Sequence, residues 1–173
     1  MFFIMRYFSL ISITLFILLF IAAAAAAQNK REFISPNKMT KAVVYNYYEK
    51  GAVLESRISI LNRKGKVLFD TSFASKDHEH GFGVDQAEWT ADSKFFVFGM
   101  LSSGGHQPWH AFTYAYSTSN NELISIDQAV EPVTSAFKLF PPDSIEAVGF
   151  KTDINHQMKF GFRLSNLINH KKR

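Results

Sequence analysis

The sequence predicts an all-β domain carried behind an export signal, and three observations lead there. Short segments rich in Val, Ile, Phe, Tyr and Thr recur along the chain, separated at close spacing by Gly, Pro, Asn, Asp and Ser. Several of them alternate cleanly between bulky apolar and small or polar residues, the period of a strand rather than a helix. The first 27 residues have a composition of their own, with one charge and a closing run of alanines. The reading is an antiparallel meander of about nine or ten strands, folded into a sandwich or strongly curved sheets.

Met1–Ala27 carries Arg6 as its only charge, an apolar run from Tyr7 to Ile21, and Ala22–Ala27 before Gln28. A positive start, an apolar middle and a small-residue site make a cleavable signal peptide, with Ala25-Ala26-Ala27 as the site. The competing reading is an uncleaved anchor, since Tyr7–Ala27 is long enough for a helix spanning a bilayer, about 20 residues. The alanines weaken such a span and favour cleavage. No cysteine follows the apolar run, and none occurs in the chain. An exported domain without disulfides or a glycosylation sequon is expected to be bacterial, periplasmic or secreted, and held by its core alone.

Cleavage would remove Arg6 and lower the formal charge from +4 to +3. The excess sits at Lys30-Arg31 and Lys171-Lys172-Arg173, which read as solvated ends. No segment interleaves basic and aromatic residues as nucleic-acid grooves do, so no nucleic-acid partner is expected. The membrane would be met only through an uncleaved signal segment. The domain plan is a signal peptide over 1–27, a polar lead-in over 28–40, one β domain over 41–165 and a basic tail over 166–173.

Lys41–Tyr48 could be a helix opened by Ser35-Pro36 and closed by Gly51, but its Val and Tyr content selects a strand. Ala52–Phe73 is a hairpin. Leu54, Ser56, Ile58 and Ile60 share one face, Glu55, Arg57 and Ser59 the other, and Asn62-Arg63-Lys64-Gly65 turns the chain. One face is expected to be buried and the other wet. Ser75–Gly83 is a loop dense in Asp, Glu and His.

Val84–Ile126 is the stretch around which the chain is organised. Val84–Trp89 is a strand with Val84, Gln86 and Glu88 opposed to Asp85, Ala87 and Trp89. Thr90–Lys94 has turn chemistry. Phe95–Leu101 is apolar on both faces and predicts a central, covered strand. Ser102–Pro108 is a loop, because Gly-Gly and Pro interrupt a ladder. His110–Ser117 sets His110, Phe112, Tyr114 and Tyr116 against Ala111, Thr113, Ala115 and Ser117, and Glu122–Ile126 closes the unit after a polar turn. Ala87-Glu88-Trp89-Thr90-Ala91-Asp92-Ser93-Lys94, then an apolar strand, then alternating aromatics, resembles a blade of the TolB-like β-propeller repeat. Ala91 stands where that family usually has Pro, and Ser93 where it usually has Gly. The resemblance covers about one blade, and closure takes roughly four to eight blades of about 40 residues, more than this chain supplies. It implies curved, propeller-blade-like sheets and a binding role rather than a catalytic residue.

Beyond Ile126, Asp127–Glu131 predicts one helical turn, Val133–Leu139 and Ile145–Lys151 strands, Pro141-Pro142-Asp143 a forced turn, and Gln157–Ser165 a last strand.

Chemistry could reside in three places. Asp77, His78 and His80, with His106, His110 or Asp85 supplying a further ligand, would suit Zn²⁺. The spacing matches no recurring zinc signature, and a solvated hairpin loop explains the same residues. Ser102–His106 lacks the elbow of a serine hydrolase and the lysine of a phosphate loop. Trp89, Trp109, Tyr114 and Tyr116, with His106 and His110 beside them, form an aromatic set of the kind used to grip a partner or a sugar, Trp109 being the one expected at the surface. Against that, 18 Phe need burial, and most aromatics must be core. The function expected is therefore an exported, non-enzymatic β domain that binds a protein or envelope component and needs no cofactor. The alternative is a metal-dependent hydrolase built on the Asp77–His80 loop.

Overall fold

Among the described residues, strand-forming segments at close spacing become eleven strands in three antiparallel sheets, each a meander in chain order. The computed structural model describes residues 30–49, 52–77, 79–105, 109–134, 136–151 and 156–170. The chain divides into two units, Met1–Lys30 and Arg31–Arg173. All of the first except Lys30 lies outside the described residues, and the signal-peptide reading falls there.

The first sheet runs β1 (Lys30–Ile34), β2 (Thr40–Glu49), β3 (Ala52–Asn62) and β4 (Val67–Ser72). The second runs β5 (Phe82–Trp89), β6 (Phe95–Ser102), β7 (Phe112–Ser117) and β8 (Glu122–Ser125). In the third, β10 (Ser144–Lys151) lies between β9 (Lys138–Phe140) and β11 (His156–Arg163), and a seven-residue helix α1 (Leu164–His170) follows.

Two cores explain the stacking. Ala42, Val44, Ile58 and Ile60 of the first sheet meet Val84, Trp89, Phe96, Phe98, Met100 and Tyr116 of the second. The opposite face of the second sheet presents Phe95, Val97 and Ala115 to Val133, Phe137, Ile145, Ala147 and Leu164. The strand β6 is thus covered on both sides, which is why its sequence is apolar at nearly every position. The small face of β7 is needed for the same reason. Thr113, Ala115 and Ser117 are fully buried against the third layer, where larger side chains would hold the sheets apart.

One turn occurs twice with the same bonding. In the first sheet Ser35 N–H donates to Thr40 O (3.0 Å), Ser35 Oγ to Asn37 Oδ1 (2.9 Å), Met39 N–H to Asn37 Oδ1 (2.9 Å) and Thr40 N–H to Ser35 Oγ (3.1 Å). In the second sheet Thr90, Asp92, Lys94 and Phe95 repeat all four, at 2.9, 2.8, 3.1 and 3.0 Å. Lys38 and Ser93 take the same left-handed conformation, with φ of 59° and 63°. The turns also touch: Asn37 N–H donates to Ser93 Oγ at 3.0 Å, and Asp92 N–H to Pro142 O in the third sheet at 3.2 Å. Equivalent turns of successive sheets therefore stand side by side. The cue in sequence is Ser-Pro-Asn-Lys against Thr-Ala-Asp-Ser, a likeness of bonding roles more than of letters.

Several expectations need correction. The polar lead-in contains β1, because Phe33 packs on the first core and Trp89 Nε1–H donates to Phe33 O at 2.9 Å. The basic tail begins as α1, whose Leu164, Leu167 and Ile168 pack on the second core. The last strand consequently ends at Arg163. A bulge between Val84 and Gln86 reverses the facing of β5, so Val84 and Trp89 enter the same core although the alternation sets them on opposite sides. The expected strand Val133–Leu139 is broken into a bridge between Val133 and Gly149 and the short β9. Asp127–Glu131 forms a turn, with Ala129 and Val130 N–H donating to Ile126 O.

Candidate ligand-binding site

Trp109 stands where the loop before β7 meets the third sheet, and it is 48% exposed. Its position is set by a lateral series of backbone bonds. Ala111 N–H donates to Val133 O (2.7 Å), Thr134 N–H to Val148 O (2.8 Å) and Phe150 N–H to Pro132 O (2.9 Å). Gln157 lies directly across from Phe150 in the β10–β11 ladder. Trp109, Thr134, Phe150 and Gln157 are thereby brought from four segments of the chain to line one open cleft of about 470 Å³. That volume falls among those of small-ligand sites, about 300–1,000 Å³.

His110 and Asp127 form the floor of this arrangement. His110 Nε2 is 3.1 Å from Asp127 Oδ1, and both side chains are nearly buried. The same carboxylate accepts from Thr113 N–H (2.8 Å) and Val133 N–H (2.8 Å), tying the head of β7 to the segment that borders the third sheet. The imidazole lies between Phe112 and Trp109, at ring separations of 3.7 and 5.5 Å, and is nearly parallel to the indole at 16°. Phe150 meets the indole at 5.8 Å. A charge-assisted hydrogen-bond network thus braces an exposed indole from behind. Asp127 was not anticipated; a lone Asp after a strand carries no signal beyond turn chemistry.

The other aromatic candidates go elsewhere. Tyr116 is wholly buried, with its hydroxyl donating to Asn121 Oδ1 at 2.7 Å, and burial pushes its phenol above the ordinary range. Tyr114 is partly buried beside Phe98 and Phe73, and burial, then Asp127, raises its phenol too. Both face the core between the first two sheets, so Tyr114 and Tyr116 are packing residues and not cleft residues. His106 lies outside the described residues.

In the other loop, His80 Nδ1 is 2.7 Å from Asp77 Oδ2, with both groups exposed. Glu79 N–H donates to Asp77 Oδ1, and the single proton of the Ser75 hydroxyl is shared between Asp77 Oδ1 at 2.8 Å and a second carboxylate, that of Glu55, at 2.6 Å. Ser75 first, then Glu79 and His80, hold the Asp77 carboxyl well below the usual carboxylate range. His78 lies outside the described residues, and among those described no group of three or more His, Cys, Asp or Glu stands ready for a metal ion.

Beneath this loop lies Glu55, expected on the wet face of its strand and fully buried instead. Its carboxylate accepts from Ser75 N–H (2.9 Å), Ser75 Oγ (2.6 Å), Gly81 N–H (2.6 Å) and Ser103 Oγ (3.1 Å). One carboxylate clasps both long loops to β3. Gly81 is required there, because a Cβ would sit 2.6 Å from the Glu55 carboxyl carbon and closer still to the Phe73 carbonyl oxygen.

No family model matches the chain, and no curated protein matches it either. Among solved structures, it is similar to a chain of Kuenenia stuttgartiensis hydrazine synthase, at 11% identity and a TM-score of 0.41. The match covers 71% of this chain and 40% of that one, so the chain spans less than half the length of the neighbour.

Proposed function

We propose that this chain is an exported, propeller-like binding domain that takes a protein or envelope component at the Trp109 cleft. The observation that carries the reading is an exposed indole held rigid from behind by the His110–Asp127 pair and opening onto a cleft lined from four segments. Large aromatic groups that stay exposed on a braced scaffold contribute contact area at little entropic cost, the usual composition of a recognition site. The recurrence of one turn in successive meander sheets supports the propeller-like reading, since blade repeats place equivalent turns in a row. The apolar run and alanine site of Met1–Ala27 support export.

The test is a photo-reactive residue placed at Gln157 on the cleft rim, in the full chain, within the native host. A discrete adduct that vanishes with Trp109→Ala, and does not form from Val67 on the first sheet, supports the reading. No adduct, or equal adducts from both positions, removes it.

A further inference from the structure

We infer that the ligand of the Trp109 cleft is a neutral saccharide, an inference that rests on the binding reading above. The cleft combines two kinds of surface. Trp109 and Phe150 supply aromatic walls 5.8 Å apart at a 52° angle, and Gln157 and Thr134 supply an amide and a hydroxyl. None of the four described lining residues carries a charge, and on the same ladder Lys159 is paired with Glu146 at 2.7 Å. A charged ligand would lose its hydration and meet no counter-charge among these four residues, which favour a neutral one.

The polar groups are also uncommitted. Among the described residues neither the Trp109 indole N–H nor the Gln157 amide has a hydrogen-bond partner. Thr134 Oγ1 donates to Val148 O at 3.2 Å and keeps its lone pairs for an incoming hydroxyl. An indole N–H, an amide and a hydroxyl oxygen together offer donors and acceptors around an apolar wall. A purely aliphatic ligand would leave those groups unpaired, at a cost in affinity. A pyranose ring uses both surfaces: its axial C–H face lies on the electron-rich indole, while its equatorial hydroxyls engage the amide and the threonine.

Trp89→Phe leaves Trp109 as the only tryptophan, and its emission, excited selectively above the tyrosine band, would be titrated with chitotetraose, maltotetraose, cellotetraose and a wider array of uncharged oligosaccharides. The expected result is saturable change with at least one neutral saccharide and none with an acidic oligogalacturonide; by titration calorimetry, which needs no indole, affinity for that saccharide falls more than tenfold with Trp109→Ala and severalfold with Gln157→Ala. Trp109 is 48% exposed and rests on His110 and Phe150, so the melting transition of Trp109→Ala is recorded beside its binding, and a cooperative transition well above the assay temperature verifies that lost binding is not lost folding. An adduct at Gln157 with no saccharide bound up to about 1 mM, the range of weak affinities, overturns the saccharide assignment and leaves the cleft a site for a protein segment. Absence of both adduct and saccharide binding removes the site as well.

Discussion

Replacing Glu55 by Ala tests whether a buried carboxylate organises the two long loops. Glu55 is fully buried on β3 and accepts two backbone amides, Ser75 and Gly81, and two hydroxyls, Ser75 and Ser103. The hydroxyls can rotate to other acceptors, but the amides cannot. Each buried donor left without a partner costs about 1–3 kcal/mol, so Glu55→Ala should destabilise by roughly 2–5 kcal/mol, with entering water lowering the figure. That is a large share of a typical total of about 5–15 kcal/mol. Glu55→Gln keeps the shape and one acceptor oxygen but turns an NH₂ toward either Ser75 N–H or Gly81 N–H. Its cost should be smaller, about 1–3 kcal/mol. Urea denaturation with an unchanged m-value gives the energies, and hydrogen exchange at Gly81 shows whether the clasp has opened. A loss below about 1 kcal/mol in Glu55→Ala, with the Gly81 amide still protected, would refute the reasoning.

Three further outcomes follow from the same geometry. Gly81→Ala should be as damaging as Glu55→Ala, because its Cβ would meet the Glu55 carboxyl group and the Phe73 carbonyl; a near-neutral melting shift would contradict that. Asp143 is buried, and although burial works to raise its carboxyl, hydrogen bonds from Ser165 and then Arg163 prevail and hold it below the ordinary range. A lowered folded value contributes stability above the unfolded value of about 3.9 and loses it as pH falls through the folded value, so the wild-type advantage over Asp143→Asn should be full at neutral pH and shrink below about pH 4. Unfolding curves across that range decide it, and an advantage that persists unchanged into strong acid goes against it. Lys38→Gly relieves a left-handed non-glycine residue and should stabilise by about 0.5–1 kcal/mol, whereas Ser93→Gly should gain less because it also removes the acceptor for Asn37 N–H.

Much of the fold could be read from local chemistry. β3, β6 and β7 were legible because period-two alternation or an unbroken apolar run reports which faces are covered, and β2 because its Val and Tyr content selects a strand over a helix. What escaped were features that depend on distant partners. The bulge in β5 is invisible until Val84 and Trp89 are seen in one core. Glu55 sits in a strand whose neighbours Arg57 and Ser59 share its face, and only loops twenty and more residues away bury it. The repeated turn escaped because Ser-Pro-Asn-Lys and Thr-Ala-Asp-Ser share bonding roles with no identical residue in register. At the cleft, Trp109 was legible as an aromatic beside a loop. Its support by Asp127 and its neighbours Thr134, Phe150 and Gln157 were not, since the ladder of the third sheet brings them there. Tyr114 and Tyr116 looked equivalent to Trp109 in composition and differ only in facing the first sheet.

The most direct test follows the two indole N–H resonances of the protein as envelope extract, and then purified neutral oligosaccharide, is added. Trp89 donates to Phe33 O in the core and serves as an internal reference, while Trp109 lies in the cleft. The Trp109 signal should move and saturate while the Trp89 signal stays in place. A ligand that binds and leaves the Trp109 resonance untouched, or that moves both together, would contradict it.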